Sequence, residues 1–531
     1  MAVAQPDPLD KAWRSTCRVL FGSEVWPLSD FADWLKGYDE EIRKEKSSIS
    51  GKSVSFSQND YSHGARFSAF DEVDFGKKFT PLSINDVKDI DSVSQAVQER
   101  LYYTGNVILG NSSHVYGSSN VIDSHYIETT TVINDCKYVG YSRYVHYSDH
   151  CFGMLGAEKD AHCVMCMGSE LARCFECHMV EVLQDCYYCA KAQNCHDCFF
   201  CFGTRNAAYA VGNTRLPRDK YLQIKAKLTG EIAETLRKDK RIFSLLSLIE
   251  KSSQHAPDRR LKIKPEKPLP FDIAPIEAAF TKTSAILFGK QLMGMKSYEK
   301  FLQKHVPKNR TFPSPFSGQP SFACGYRMHL LPLYKIEKRL PTEEEMLEVG
   351  KNEGLSDLSG ELSMDLDDLA KRLHPVAYMN LDKIAGNNRN FYDCPVIIDS
   401  QDCCAESAAI RSKKCAHCFW TSDAEAIFGS CATRLSSFCM KNFYCKSMQR
   451  AFECDGCDNC ADSYFLHNCE NVRDSMFCFN AKNLTFAIGN ASLPPDQYRR
   501  IKAGIVSQLA DELEGKKDIA LDIFNVGARE R

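Results

Sequence analysis

Starting at Cys394 and stepping by three, the chain visits Ile397, Ser400, Cys403, Ala409, Ser412, Cys415, Cys418, Thr421, Ala424, Ile427 and Ser430, and continues with few lapses to Cys478, Ala481, Leu484 and Ala487. Small, aliphatic and thiol side chains fill this series. The positions between carry Asp, Lys, Arg, Asn, His and Tyr, and of the cysteines in the stretch only Cys404 and Cys431 fall off it. The first half of the chain obeys the same rule through Leu109, Ser112, Val115, Ser118, Val121, Ser124, Ile127, Thr130, Ile133, Cys136, Val139, Ser142, Val145, Ser148 and Cys151. There a β-branched residue every six alternates with a small one. After Ala172 the series shifts by one place and resumes as Cys174, Cys177, Val180, Leu183, Cys186, Cys189, Ala192, Cys195, Cys198 and Cys201.

A helix repeats near 3.6 and an isolated strand at 2, so a sustained six-residue unit with an inward position every three residues matches neither. It matches a stack of short strands and corners in which like residues form interior ladders. The expected fold is mainly β with helices: two tandem β-solenoids built of six-residue units, each capped by a helix. Handedness stays open, because left-handed hexapeptide acyltransferases place the small residue four positions after the aliphatic one, not three.

The chain of 531 residues exceeds a single core and suggests three or four domains. A net charge of −3 with 25% charged residues gives no electrostatic argument for nucleic acid or an acidic membrane. The N-terminal Met1-Ala-Val-Ala-Gln-Pro has no basic-then-apolar leader, and no run of about twenty apolar residues follows. With 26 cysteines, the expectation is free thiols in a reducing, cytoplasmic compartment and no membrane association.

Residues 201–226, CFGTRNAAYAVGNTRLPRDKYLQIKA, align without a gap onto 478–503, CFNAKNLTFAIGNASLPPDQYRRIKA, an offset of 277. Each copy runs into Gly-Asn, a turn signal, and then Leu-Pro-x-Asp, a helix start. The implied organisation is an N-terminal mixed or helical region (1–104, with helices over Leu28–Lys46 and Asn85–Leu101), a first solenoid (105–215), a helical cap (216–252), a linker and mixed connector (253–390), a second solenoid (391–491) and a second cap (492–531). The first cap is expected over Asp219–Lys251 and the second from Asp496 to about Leu513. In the connector, Lys262 to Pro270 read as a charged linker, Thr342 with Glu345 forms a capping box, and Asp365–Asp368 is an acidic segment without evident chemistry.

Repeated Cys-x-x-Cys pairs raise zinc binding, and Cys174, Cys177, Cys195 and Cys198 have a separation that suits a zinc ribbon. Two features favour core filling instead. A three-step inward series generates Cys-x-x-Cys whenever neighbouring inward positions are both cysteine, and a free thiol packs as a small hydrophobe. The offset of 277 also carries Cys174 onto Ala451, Cys186 onto Ser463, Cys189 onto Leu466, Cys195 onto Val472 and Cys198 onto Ser475, and neither Leu nor Val can ligate a metal.

Hexapeptide solenoids that act as acyltransferases use a histidine between coils, which makes His114, His125, His146, His150 and His162 candidates; all lie off the inward series and have no matching set in the second half. Phosphate-binding loops, nucleophile elbows, dinucleotide fingerprints and His-Glu-x-x-His are absent. Tyr138, Tyr141, Tyr144 and Tyr147, beside Lys137, Arg143 and His146, form a stripe that could stack bases, but the neutral charge balance favours a protein partner.

Around residues 198–213, Cys-Phe-Phe-Cys-Phe-Gly-Thr-Arg-Asn-Ala-Ala-Tyr-Ala-Val-Gly-Asn, the chain resembles uncharacterised cysteine-rich β-solenoid repeat proteins predicted in environmental phage and candidate-phylum genomes. It departs from their pattern at Thr204, where Leu is usual, and at Ala207, where Lys is. The resemblance implies a viral or mobile-element setting, including a virion, and says nothing about mechanism. The sequence therefore points to a non-enzymatic structural or assembly protein, without cofactor, whose outer faces meet other proteins. A zinc-binding module contacting nucleic acid or protein is the first alternative, and a hexapeptide-type acyltransferase the second.

Overall fold

The structure, a computed structural model, describes residues 7–38, 40–82, 89–254, 270–323, 335–352, 354–355 and 365–528. The protein is mainly β, with two 15-stranded sheets, one from residues 108–215 and one from 383–492. Apart from a closing antiparallel hairpin in each, neighbouring strands are parallel, and over most of each sheet the partner of a residue lies twelve positions on, thirteen at the first pairs Ile108–Val121 and Lys383–Val396. Val115 faces Ile127, which faces Val139, then Cys151, then Cys163. The six-residue unit of the sequence is thus half of a twelve-residue repeat.

The step of three is a backbone property. From His114 to Met165, from Glu170 to Tyr209 and from Arg411 to Gly489, every third residue has positive φ. A plain strand turns its side chains in and out with period 2. Here a left-handed residue at the third position of each triplet redirects the chain, so the next residue faces inward again. Each repeat therefore supplies four inward residues, which fill one closed apolar cluster per half.

Two of the four inward ladders run along strands and take β-branched residues, such as Val121, Ile133 and Val145. The other two take small polar residues for a specific reason. The hydroxyls of Ser118, Ser124 and Ser142 donate to the carbonyl two residues earlier and accept the N–H twelve residues later, from Thr130, Cys136 and Met154. They close backbone hydrogen bonds that the corners leave open. Cysteine can take the same place: the Cys166 thiol reaches the Val164 carbonyl and accepts from the Cys177 N–H at 3.4 Å.

The shift in the series lies earlier than the sequence suggests. Positive φ recurs after only two residues between Gly168 and Glu170, and Ala161 pairs with Ala172, eleven on. A twelve-residue register returns with Gly168 opposite Val180, and Leu171 rather than Ala172 is the buried residue.

Each sheet ends on a Gly-Asn turn, Gly212-Asn213 and Gly489-Asn490, with positive φ at both residues, as a tight hairpin requires. The two Asn side chains then pair with the backbone N–H and C=O of Phe202 and of Phe479, standing in for the next strand. The helices Arg218–Asp239 and Pro495–Lys516 follow. The first stops at the left-handed Lys240, so the helix expected to Lys251 is two helices, the second being Leu245–Ser252. The interiors meet further helices at their ends: Gly203 lies against Met346 of the helix Glu343–Asn352, and Gly489 against Val97 of the helix Ile90–Val97.

The segments before and between the sheets are shared crosswise. The helix Pro8–Phe21, unforeseen in the sequence, packs on the first sheet, with Trp13 edge-on to Phe152 at 5.1 Å. Val54, Phe56, Phe67, Val97 and Tyr103 instead join the core of the second half. The connector reverses this order: the helix Ala274–Phe288 covers the second sheet, whereas Leu340, Met346, Leu369 and Tyr378 join the first core.

These segments are themselves duplicated, with Phe21-Gly22 matching Phe288-Gly289. Both helices end on a left-handed Gly, and Asp10 and Glu277 accept the backbone N–H of Leu28 and of Met295 respectively. The helix expected over Leu28–Lys46 is only helical at 28–35; the chain then forms a hairpin, Lys44–Lys46 against Ser53–Ser55, turned by Ser47 and Gly51. Ser314 and Gly318 repeat that turn in the connector. The Thr342–Glu345 capping box forms, and Asp365 caps the helix Leu366–Arg372. Residues 255–269, which hold most of the charged linker, and the start of the helix expected at Asn85 lie outside the described residues.

Candidate functional site

The described cysteines are free thiols, and all but Cys404 are buried. Cys174, Cys177, Cys195 and Cys198 do not meet at one point. Cys174 and Cys198 share the ladder through Cys186 but stand two repeats apart, about 9.6 Å at the usual strand spacing. Cys177 lies on the neighbouring ladder with Cys189, and Cys195 on a third, beside Leu183. Sulfur ligands of one zinc each lie about 2.3 Å from it. Among the described residues, no group of three or more His, Cys, Asp or Glu is arranged to hold a metal ion.

Burial raises the thiol pKa at Cys151, Cys163, Cys186, Cys403 and Cys415. At Cys174 burial is opposed by hydrogen bonds from Cys163, Cys177 and Cys186, and at Cys460 a hydrogen bond from Cys457 outweighs burial, so both are lowered. No cationic side chain is among the principal influences on either.

What the two halves share lies outside the interior. Arg173 pairs through two hydrogen bonds with Asp185, at 2.9 and 2.7 Å, and Lys225 of the following helix lies 3.1 Å from Asp197. At the offset of 277, Arg450 pairs likewise with Asp462, at 2.6 and 2.7 Å, and Lys502 lies 3.7 Å from Asp474. The Tyr187 and Tyr464 hydroxyls donate to the carbonyls of Leu20 and Leu287 at 2.7 and 2.6 Å. Glu176 and Glu453, both fully buried, accept the backbone N–H of Leu245 and of Ile523. The alignment therefore extends upstream from Cys201 without a gap at least to Arg173, and the thiol replacements read from it fall at equivalent positions.

The buried carboxyls differ in their company. Burial pushes Glu176 up to about 8; the Tyr38 hydroxyl, which donates to it at 2.6 Å, opposes the shift. Glu453 is raised to about 7 by burial, against the attraction of Lys441, whose ammonium donates to the Phe301 carbonyl at 3.2 Å. Nearby, His305 bridges Asp60 and Asp522 at 3.0 and 3.1 Å, and the His467 ring sits between Asp455 and the N–H of Thr104. The Asp455–His467 pair resembles part of a catalytic relay, but its remaining nitrogen accepts a backbone N–H, so it holds the N-terminal segment in place.

The tyrosine stripe does not exist as expected. Because each triplet turns a corner, Tyr138, Tyr141, Tyr144 and Tyr147 face different directions: Tyr141 is buried over Glu128, Tyr144 stacks on Trp420 of the other half, and Tyr147 is exposed. Aromatic columns run at spacing twelve. His114, Tyr126, Tyr138, His150 and His162 form one, with successive centroids 4.6, 5.0, 4.9 and 4.5 Å apart. Three of the five histidine candidates thus belong to one ring stack. His125 shares the Ser113 hydroxyl with His114, and burial lowers His146 to about 4.

Of the surface hollows, one of about 510 Å³ is lined by Glu277, Thr281, Lys282, Gln291 and Met293, and another of about 490 Å³ by Asn387, Arg389, Asp399, Gln401 and Lys413; neither includes a His or Cys. Comparison with protein-family models, curated proteins and solved structures gives no match. Among the described residues no helix is long and apolar enough to cross a membrane.

Proposed function

We propose that the chain is a non-enzymatic structural protein in which each sheet is a β-solenoid of twelve-residue coils, and that this paired solenoid displays its outer faces to protein partners within an assembly. The register of twelve, the four inward ladders and the parallel pairing support the solenoid reading. One observation carries the functional reading: at the offset of 277 the halves keep their frame contacts, Arg173–Asp185 with Arg450–Asp462 and Glu176 with Glu453, while five of the seven interior thiols from Cys174 to Cys201 become Ala, Ser, Leu or Val and only Cys177 and Cys201 stay cysteine, as Cys454 and Cys478. What duplication has retained is architecture, not reactive groups.

Metal analysis on protein purified in reductant without chelator, with a thiol count after denaturation, tests this reading. The expected result is no stoichiometric metal and 26 reactive thiols. Zinc held at one or more per half, and lost on Cys174→Ser or Cys195→Ser, would overturn it in favour of a zinc-binding module.

A further inference from the structure

A stack of coils has two ends, so the two halves have four. The last repeats are met by Met346, Leu355, Val97 and Arg100, with Leu355 N–H donating to the Gly212 carbonyl and the Arg100 guanidinium to that of Gly489. The start of the second half is also occupied and charged. Asp272 N–H donates to Asn390, Phe271 and Phe322 flank Tyr392, and Lys383 pairs with Glu181.

The start of the first half is different. Among the described residues, strands Ile108–Leu109 and Ser113–Tyr116 each pair on one side only, with strands Ser119–Ile122 and His125–Glu128. Asn111, Ser113, His114, Tyr116 and Gly117 are exposed, Tyr116 by 63%, and Val115 is only partly buried on the interior cluster. The usual protections of an edge are charged residues, proline or a covering segment. Residues 101–122 contain no Asp, Glu, Lys, Arg or Pro in a chain that is 25% charged.

We propose that this open end docks against the same end of a second copy. A two-fold axis through the exposed strand sets Ser113–Tyr116 antiparallel to its own equivalent, which closes both rows of backbone donors and acceptors at once. An uncharged edge meets itself without repulsion, whereas the charged start of the second half would not. The ring column from His162 to His114 ends at this edge, so the same axis brings the two columns end to end. This inference rests on the solenoid reading, since only a coil stack has an end of this kind.

Sedimentation velocity on the full chain over roughly a hundredfold range of concentration tests it. The expected result is a species of twice the 60.0 kDa chain mass. Ser113→Lys combined with Tyr116→Lys, both at exposed positions, sets like charges across the axis and should return the monomer with an unchanged circular dichroism spectrum and melting temperature. A monomer at every concentration, or a dimer that survives both lysines, would overturn the proposal; so would capture of a different protein at this edge by a monomeric chain. Hydrogen exchange on the same samples separates the two readings. Amides of 125–211 protected in a monomer would remove the end contact alone, whereas unprotected amides there would remove the solenoid reading itself.

Discussion

The two halves answer one structural demand, a buried carboxyl beneath the chain that follows the terminal helix, in opposite ways. In the first, Glu176 sits among neutral groups, the Tyr38 hydroxyl and the buried His178 ring, and the buried Met165, across the one-residue shift in the series, occupies the corner position that is Lys441 in the second. In the second, Glu453 shares its surroundings with Lys441, Asp522 and His305. The backbone contact is the same, Leu245 N–H in one half and Ile523 N–H in the other. The frame is fixed by backbone hydrogen bonds that must be closed, while the charge state around them is free to vary wherever it is balanced locally.

Removing the balance should give the largest effect. Lys441→Met leaves Glu453 without its fully buried cation, while Asp522 keeps Lys304 and His305, and loss of one partner from a buried charge group costs about 3–5 kcal/mol. Chemical denaturation should show that loss, and Met165→Leu at the equivalent corner of the first half should cost less than half of it. Equal costs would mean that Lys441 acts through its shape rather than its charge.

The carboxyls also predict a pH dependence, of the same sense in both halves. Glu176 and Glu453 are raised from 4.5 to about 8 and about 7 by burial, so the folded state holds protons that the unfolded state has released. Their contribution is fully present below about pH 4.5 and is lost as pH rises to 7–8. His146, His178 and His417, lowered by burial to about 4, act in the opposite sense: their contribution is lost as pH falls from 6.5 towards 4. The melting temperature should therefore fall between pH 6.5 and 8.5. Glu176→Gln, which keeps an acceptor for Tyr38 and Leu245, should gain on the parent chain as pH rises; parallel pH profiles would show that Glu176 is not the titrating group.

Much of this frame was legible in the sequence, because a step of three shared by inward residues has few structural explanations. The step itself was legible, but its cause was not: a left-handed residue at each corner can be Tyr, Lys or Val as well as Asn or Gly, and so leaves little compositional trace. The same corners defeated the tyrosine stripe, since residues three apart face different sides and only those twelve apart stack.

The helix Pro8–Phe21 did carry a signal, with Leu9, Ala12, Trp13, Thr16 and Leu20 at helical spacing between Asp7-Pro8 and Gly22. That the connector turns helical after its linker is legible in the sequence, and the repeated Leu-Phe-Gly marks the helix Ala274–Phe288 as the twin of the first. The crosswise packing had no local signal, because it joins residues such as Tyr61 and Asp455 that lie far apart in the chain.

The smallest expected effect bears most directly on what the thiols are for. The Cys195 sulfur lies 3.2 Å from the Gln193 carbonyl and accepts the Ala207 N–H at 3.4 Å, whereas its counterpart Val472 can do neither. Cys195→Val keeps most of the volume but leaves a buried N–H without that acceptor, at a cost of about 1–2 kcal/mol. The reverse change, Val472→Cys, restores a possible acceptor and should be close to neutral. Together they sharpen the comparison: a loss confined to Cys195→Val means that thiols and hydroxyls at these corners serve the backbone, no loss in either means that any small side chain suffices, and collapse of the fold on Cys195→Val would mean that the halves are not interchangeable inside.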